Sequence, residues 1–364
     1  MQDTFAKSGF SSALQPGTGQ RVLVTGANGF IAAHVVERLL ARGYQVVGTV
    51  RDASNAAHHQ HLTALPGAAD RLTLVSADLT AADPFSAHAD VDAIIHMASP
   101  YVLNVGDPQR DLVDPAVKGT LSLLEAALQH PRVKRVVLTS SVAAITDAPD
   151  GRVLTESDWN RQSSLIRNPY YYSKTCAERA AWDFMDGRDP EFDLLVLNPF
   201  MVIGPSHSAA VNTSNQVLAD IVNGKYPMSM ALTWGIVDVR DVADAHIAAL
   251  ENNAICGRFI VASETMPMSE MVAQMRSAGF STGRLPKLDM SGPVGTAILR
   301  LASRFQPTGT RSYLQTHLGQ VPAFDNGKSR RELGMNYRSA RAAVADTLQD
   351  LVRWGHIPAP RDLS

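Results

Sequence analysis

Three adjacent tyrosines, Tyr170, Tyr171 and Tyr172, are followed by Lys174 in the stretch "RNPYYYSKTCAERAAW". Only Tyr170 has the lysine four residues on, so on a helix these two share one face about one turn apart. A phenol with a pKa near about 10 is a poor acid-base group at neutral pH; a neighbouring ammonium stabilises the phenolate and lowers that value. A hydroxyl that holds a substrate oxygen would complete the set. The run "VVLTSSVAA" offers Ser140 and Ser141 at the C-terminal end of an expected parallel strand, where ligands of such sheets gather.

A second constellation lies near the start, in "VTGANGFIA". Gly26 and Gly29 follow a β-branched run and open a helical pattern, with Ala32 where a third glycine would fall. A turn without side chains lets the backbone approach a pyrophosphate, and the N–H groups and positive end of the following helix favour its charge. The candidate cofactor contacts here are Thr25, Gly26, Asn28, Gly29, Phe30 and Ile31. The end of the next strand distinguishes the dinucleotides, because an acid there takes the ribose hydroxyls whereas an arginine pairs with a 2′-phosphate. Arg51 comes first and Asp52 follows, which favours NADP(H). Asp78, after the third strand, is placed to accept from an adenine amino group or to cap a following helix. Lys174 is long enough to reach a nicotinamide ribose as well as Tyr170.

The elements that must position these groups follow an α/β alternation. Strand, turn and helix are read over "RVLVTGANGFIAAHVVERLLARG", with Ile31, Val35 and Leu39 at helical spacing and Gly43 where that helix stops. "QVVGTV", "RLTLVSADL", "VDAIIHMAS", "VKRVVLTSS" and "FDLLVLNPF" are short, nearly continuous apolar runs separated by helical segments such as "VKGTLSLLEAALQH". A Rossmann-type, doubly wound parallel sheet covered by helices on both faces is the expected fold. Its boundaries are read as 21–198 plus about 235–262, after an extension over 1–20. A smaller α/β substrate domain is expected from 199–234 plus about 263–345, with a final helix over 340–355.

Bulk properties bound the function. The 364 residues are 45% hydrophobic and 19% charged, with 33 basic against 35 acidic side chains and a net charge of −2. That is globular composition with no nucleic-acid or membrane partner implied. No signal-like apolar run opens the chain and none of about 18 apolar residues occurs, so a cytoplasmic protein is expected. Cys176 and Cys256 stand far apart, which supports neither a disulfide framework nor a zinc site.

Taken in order, "TGANGFIA", "GTVRD", "ADL", "HMASP", "PAVKGT", "VVLTSSVAA", "YYYSK", "NPFMVIGP" and "VDVRDVADAHI" resemble the extended short-chain dehydrogenase/reductases. Within them the chain is similar to the branch of dihydroflavonol reductases, cinnamoyl-CoA reductases and yeast-type NADPH carbonyl and aldehyde reductases. The resemblance covers about residues 21 to 262, with an echo in "FDNGKSRRELG". It implies that the catalytic serine is Ser141, the second of its pair, with Tyr170 and Lys174 completing the triad. It also implies cofactor contacts at Leu79, Ala98, Ser99, Pro199 and Val202. Some positions depart from the branch. "NPYYY" stands where cinnamoyl-CoA reductases have Asn-Trp-Tyr-Cys-Tyr, which argues against a CoA ester. Thr146 replaces the asparagine that contacts flavonoids, and His58 replaces a lysine near the 2′-phosphate.

The expected activity is NADPH-dependent reduction of a small aldehyde or ketone. A nucleotide-sugar epimerase or hydroxysteroid-type dehydrogenase using the same triad is the alternative enzyme, and a non-catalytic dinucleotide sensor the alternative outside catalysis. The tract His58, His59 and His61 reads as a solvated helix rather than a metal site. His96 reads as core packing beside the cofactor, Asp241 as the cap of a helix from Val242, and Arg240 as a structural ion pair. Phe200, Met201, Tyr226, Met228, Met230 and Trp234 suit either an adaptable apolar pocket or a plain core stripe.

Overall fold

The computed structural model describes residues 14, 19–79, 81–99, 105–280 and 284–360. The expected N-terminal extension lies almost wholly outside these residues, as does Pro100 of "HMASP". From the N-terminal side come β1 (Arg21–Thr25), α1 (Phe30–Ala41), β2 (Gln45–Val50), the short helices α2 (Gln60–Thr63) and α3 (Ala68–Arg71), and β3 (Leu72–Ser76). Next are β4 (Ala93–His96), α4 (Asp114–Gln129), β5 (Arg135–Thr139), β6 (Val153–Leu154), α5 (Pro169–Arg188) and β7 (Asp193–Pro199). There follow β8 (Met201–Ile203), α6 (Thr213–Val222), β9 (Met228–Met230), β10 (Thr233–Asp238), α7 (Val239–Glu251) and β11 (Gly257–Val261). The chain closes with β12 (Glu264–Pro267), α8 (Met268–Ser277), β13 (Leu288–Met290) and α9 (Pro293–Ala302). After these come α10 (Thr308–His317), β14 (Ala323–Phe324), α11 (Gly327–Glu332) and α12 (Ala340–Arg353).

Seven strands form one parallel sheet in the order β11-β7-β5-β4-β1-β2-β3. Chain order reverses between β1 and β4, and the crevice at the C-terminal ends of those two strands is where such a sheet binds its ligand. The strands are apolar along their whole length because helices cover both faces. Val35, Val36 and Leu39 of α1 and Val242 and Leu250 of α7 pack with Val24, Ile95 and Val137 on one side. Leu123 and Leu124 of α4 and Ala181 and Phe184 of α5 pack with Leu23, Ile94 and Val136 on the other. The Rossmann-type architecture read from the sequence is the one found.

A smaller sheet in the order β12-β10-β8 has a core of its own, in which Ile203, Leu218, Ile236, Met271 and Leu348 meet. The sequence reading places 235–262 with the larger unit, whereas β10 hydrogen-bonds to β8 and β12. The reason is the two-residue alternation of a strand: Ile236 belongs to the smaller core and Val237 to the larger one. The chain rejoins the large sheet through α7 and β11.

The cap of α7 also differs from expectation. The helix begins at Val239, and Asp238, not Asp241, caps it by accepting from Arg240 N at 2.8 Å. Asp241 instead accepts from the main-chain N–H of Arg338 at 2.7 Å. Arg240 forms the expected structural ion pair, reaching Asp238 at 2.6 Å and Asp346 at 2.5 Å.

Candidate active site

The glycine turn is shaped by close approaches that only glycine permits. Gly26 has φ 66°, in the left-handed region, and a Cβ there would stand 3.2 Å from Ala98 Cα. Its N–H donates to Thr49 Oγ1 at 3.0 Å, and Gly29 N–H donates back to Gly26 O at 2.9 Å. Gly48 on β2 leaves room for Ala27, whose Cβ would lie 2.9 Å from a Cβ at that position. Helix α1 then starts at Phe30 with no side-chain cap and no acidic residue in its first turn, so its leading N–H groups and positive end suit an anion.

Thr25 works from behind this turn. It is fully buried; its hydroxyl accepts from Met97 N and Ala98 N, both at 3.0 Å, and donates to His96 Nδ1 at 2.8 Å. The hydroxyl is thus consumed in fixing the loop after β4 against the glycine turn, and Ala98 and Ser99 form its half-buried lip. His96 is core packing, as expected; burial, and then the nearby Lys174 charge, push its pKa down to about 3. Phe30 and Ile31 pack half-buried against the larger core, to which Val202 also belongs, and Pro199 is buried at the end of β7.

At the end of β2 the two charged residues have different duties. Asp52 Oδ1 accepts from Ser54 N at 3.0 Å and from Ser54 Oγ at 2.6 Å, and these bonds hold its carboxyl below the usual range. Arg51 is exposed and has no hydrogen-bond or ion-pair partner among the described residues. His58 and Asp78 are exposed at the same rim, while Leu79 packs toward α4, where a Cβ on Gly119 would come 2.8 Å from its Cδ2. The histidine tract is not the solvated helix expected of it. His59 is buried, its Nε2 donating to Asp52 O at 2.8 Å and its Nδ1 lying 3.4 Å from Asn28 Oδ1. It ties the loop after β2 to the glycine turn, a role carried by no local sequence signal because it depends on burial.

Helix α5 carries the tyrosines, and its environment separates them. Tyr171 OH lies 3.3 Å from His317 Nε2 of α10, and a hydrogen bond with Cys176 pushes the Tyr172 phenol's pKa up. Tyr170 is the one beside Lys174, whose Nζ stands 6.0 Å from its ring centroid. Lys174 is buried, which pushes its pKa down to about 8 while Glu178 acts in the opposite sense. The two serines also part. Ser140 is buried and donates to Glu178 Oε2 at 2.5 Å; Ser141 is half-buried, its Oγ accepting from Ala143 N at 3.2 Å as it caps a short 3-10 turn. Thr175, next to Lys174, donates to Tyr171 O at 2.8 Å within α5, and its hydroxyl lies 3.3 Å from Ala143 O of that turn. Tyr170 and Lys174 thus stand together on α5, and Ser141 caps the turn that follows β5.

Beneath them is a polar network that the sequence reading missed. Glu178 accepts from Ser140, from Asn198 Nδ2 at 2.7 Å and from Arg258 Nε at 2.5 Å. Asn198 Nδ2 also donates to Ser141 O at 3.1 Å. Spacing gives no hint of this set, since Ser140 follows β5 and the other members lie on α5, β7 and β11. Thr146 Oγ1 donates to Ala148 O at 2.7 Å.

The apolar residues named from the sequence divide. Tyr226, Met228 and Met230 line a cavity of about 180 Å³ together with Leu299, Leu314 and Leu318. Phe200 instead stacks on Phe324 with ring centroids 4.7 Å apart, Trp234 Nε1 donates to Tyr313 OH at 2.9 Å, and Met201 packs on the smaller core.

The residues present fit a dinucleotide. The turn at Gly26 is a cradle that a side chain would fill, and the buried Lys174 ammonium has no hydrogen-bond partner among the described residues. Residues 22–262 match the NAD dependent epimerase/dehydratase family. The chain belongs to this family. It falls in the extended short-chain dehydrogenase/reductase branch that its motifs resemble, and it is an oxidoreductase acting on carbonyl or alcohol groups. A cinnamoyl-CoA reductase of Medicago truncatula is 41% identical over 268 residues, covering 71% of this chain and 80% of that protein. A ketoreductase of Aspergillus niger is 35% identical over 357 residues, covering 92% and 98%. The crystal structure of yeast methylglyoxal/isovaleraldehyde reductase complexed with NADPH superposes with a TM-score of 0.76 at 28% identity, covering 93% of this family member and all of the yeast chain. Among the described residues, no helix is long and apolar enough to cross a membrane.

Proposed function

We propose that the protein is an NADPH-dependent reductase of aldehydes or ketones, with Ser141, Tyr170 and Lys174 as its catalytic residues. The observation that carries this reading is the buried Lys174 ammonium 6.0 Å from the Tyr170 ring, on a helix whose Thr175 hydroxyl lies 3.3 Å from the turn that Ser141 caps. NADPH, when bound, supplies the hydride. Gly26, Asn28 and Gly29 hold its pyrophosphate at the start of α1, and Arg51 pairs with its 2′-phosphate. Ser141 Oγ donates a hydrogen bond to the substrate carbonyl oxygen and so fixes its position. Tyr170 OH gives its proton to that oxygen as charge develops there, and the Lys174 charge steadies the phenolate left behind. Lys174 also takes the nicotinamide ribose hydroxyls.

The smaller unit, built on the β12-β10-β8 sheet and its core, binds the substrate. Supporting this, α10 sets His317 against Tyr171 and contributes Leu314 to the apolar cavity that Met228 and Met230 line. Such a lining suits an apolar carbonyl compound. The test is oxidation of NADPH, with NADH alongside, against aromatic aldehydes, α-keto esters, diketones, dihydroflavonols and a cinnamoyl thioester. Turnover of a free carbonyl with NADPH well ahead of NADH is expected. Turnover of a nucleotide sugar without added cofactor, or of the thioester alone, would overturn it.

A further inference from the structure

Beside the glycine turn, where His207 shares a cavity with Asn28 and Gly29, three side chains converge that are not among the residues proposed for the reduction. His34 of α1 is only 4% exposed, and its Nε2 donates to Pro205 O at 2.9 Å. In the neutral ring this places the proton on Nε2 and leaves the Nδ1 lone pair available. Nδ1 has no hydrogen-bond partner among the described residues. Glu37, one helical turn on and on the same face, brings Oε2 to 3.9 Å from it. His207, on the loop after β8, brings Nε2 to 3.4 Å from the same carboxylate oxygen and likewise lacks a hydrogen-bond partner. The two imidazole rings lie 4.3 Å apart, and the three ligand atoms are all within 4.8 Å of one another.

We propose that His34 Nδ1, His207 Nε2 and Glu37 form a binding site for a divalent transition-metal ion of the zinc class. Tetrahedral coordination at bond lengths of about 2.0–2.2 Å sets ligand atoms roughly 3.4 Å apart. The His207–Glu37 separation already has this value, and His34 Nδ1, 3.9 Å from the same oxygen, joins by a side-chain adjustment within α1. Two imidazoles and one carboxylate suit zinc, cobalt or nickel rather than calcium or magnesium. The Pro205 carbonyl supplies the outer contact that metal-ligating histidines have on their second nitrogen. A cavity of about 200 Å³ beside the glycine turn, lined by Asn28, Gly29, Phe30, His61 and His207 among others, leaves a coordination position open to water. Arg38 donates from Nη1 to Glu37 Oε2 at 3.1 Å while its Nε donates to Asp244 Oδ1 at 2.5 Å, so a bound ion would share Glu37 with that guanidinium or displace it toward Asp244. The bound ion would clamp the Pro205–His207 segment to α1 directly behind the glycine turn. None of the three ligands is among the residues proposed for the reduction, although the adjoining cavity is shared with Asn28 and Gly29 of the glycine turn.

The test uses the full-length protein, stripped with a chelator and titrated with Zn²⁺ and, separately, Co²⁺. One equivalent should bind, with the intense visible absorption of tetrahedral cobalt and a rise in thermal midpoint. His207→Gln, on a surface loop, and Glu37→Gln should each weaken binding by at least about tenfold. Their unliganded thermal midpoints report folding. Absence of stoichiometric binding by the wild type overturns the proposal. So does binding by both folded variants at the wild-type level, which would place the ion elsewhere, such as at the two free cysteines.

Discussion

Glu178 lies one helical turn beyond Lys174 and receives the Arg258 guanidinium at 2.5 Å in the protein interior. Both are buried, at 1% and 7% exposure, and Arg258 also caps the carbonyls of Glu156 and Asp158 at 2.8 and 2.6 Å. The pair joins α5, which carries Tyr170 and Lys174, to β11 at the edge of the sheet. Through Asn198 it also reaches the backbone of Ser141.

Removing one partner leaves the other charge buried and uncompensated. Glu178→Ala is expected to lower unfolding free energy by about 3–5 kcal/mol, measured by urea denaturation. It also removes the acceptor that orders Ser140 and Asn198, so kcat should fall in the fraction that remains folded. Wild-type stability in this variant would show the network to be incidental.

Arg51 and Asp52 divide the cofactor question between them. With Asp52 engaged by Ser54 and Arg51 without a partner among the described residues, Arg51→Ala should raise the NADPH dissociation constant on the order of 10- to 100-fold and leave NADH nearly unaffected. Fluorescence titration of both nucleotides reads this out. Equal losses for the two would mean that Arg51 does not meet the 2′-phosphate.

The pH profile follows from Lys174. Its pKa is lowered by burial from 10.5 to about 8, so the folded protein carries the ammonium below about pH 8 and loses it above. Reduction should therefore decline as pH rises through 8, as an alkaline limb in kcat/KM. Between pH 8 and 10.5 the unfolded chain binds the extra proton, so the cost of burying this charge fades as pH rises and stability gains from it rather than losing. Lys174→Met should remove the limb along with most of the rate. A wild-type profile flat to pH 10 would contradict the assignment.

Much of this was legible in the sequence because it is local. The glycine turn, the Tyr170–Lys174 spacing and the apolar strands are set by periodicity and backbone freedom within a few residues. The parallel, doubly wound character of the sheet followed once the alternation was recognised, whereas its strand order came only from the structure. What was not legible depends on neighbours distant in the chain. His59 serves Asn28 because it is buried, Glu178 has partners on β7, on β11 and just after β5, and β10 belongs to the smaller sheet because its alternate side chains face different cores. The cap of α7 was misplaced by three residues because Asp238 and Asp241 are equally good caps by type, and only the register of β10 decides between them.

The central claim is that Tyr170 delivers the proton. Its most direct test is Tyr170→Phe, assayed for NADPH oxidation with the best carbonyl substrate and, in parallel, for NADPH affinity. Proton transfer by a positioned group contributes about 10² to 10⁴ in rate, so turnover should fall by at least that order with the dissociation constant near normal. Tyr171→Phe and Tyr172→Phe, which alter phenols engaged with His317 and Cys176, should retain most activity. A Tyr170→Phe enzyme that turns over within a few-fold of wild type would contradict the mechanism.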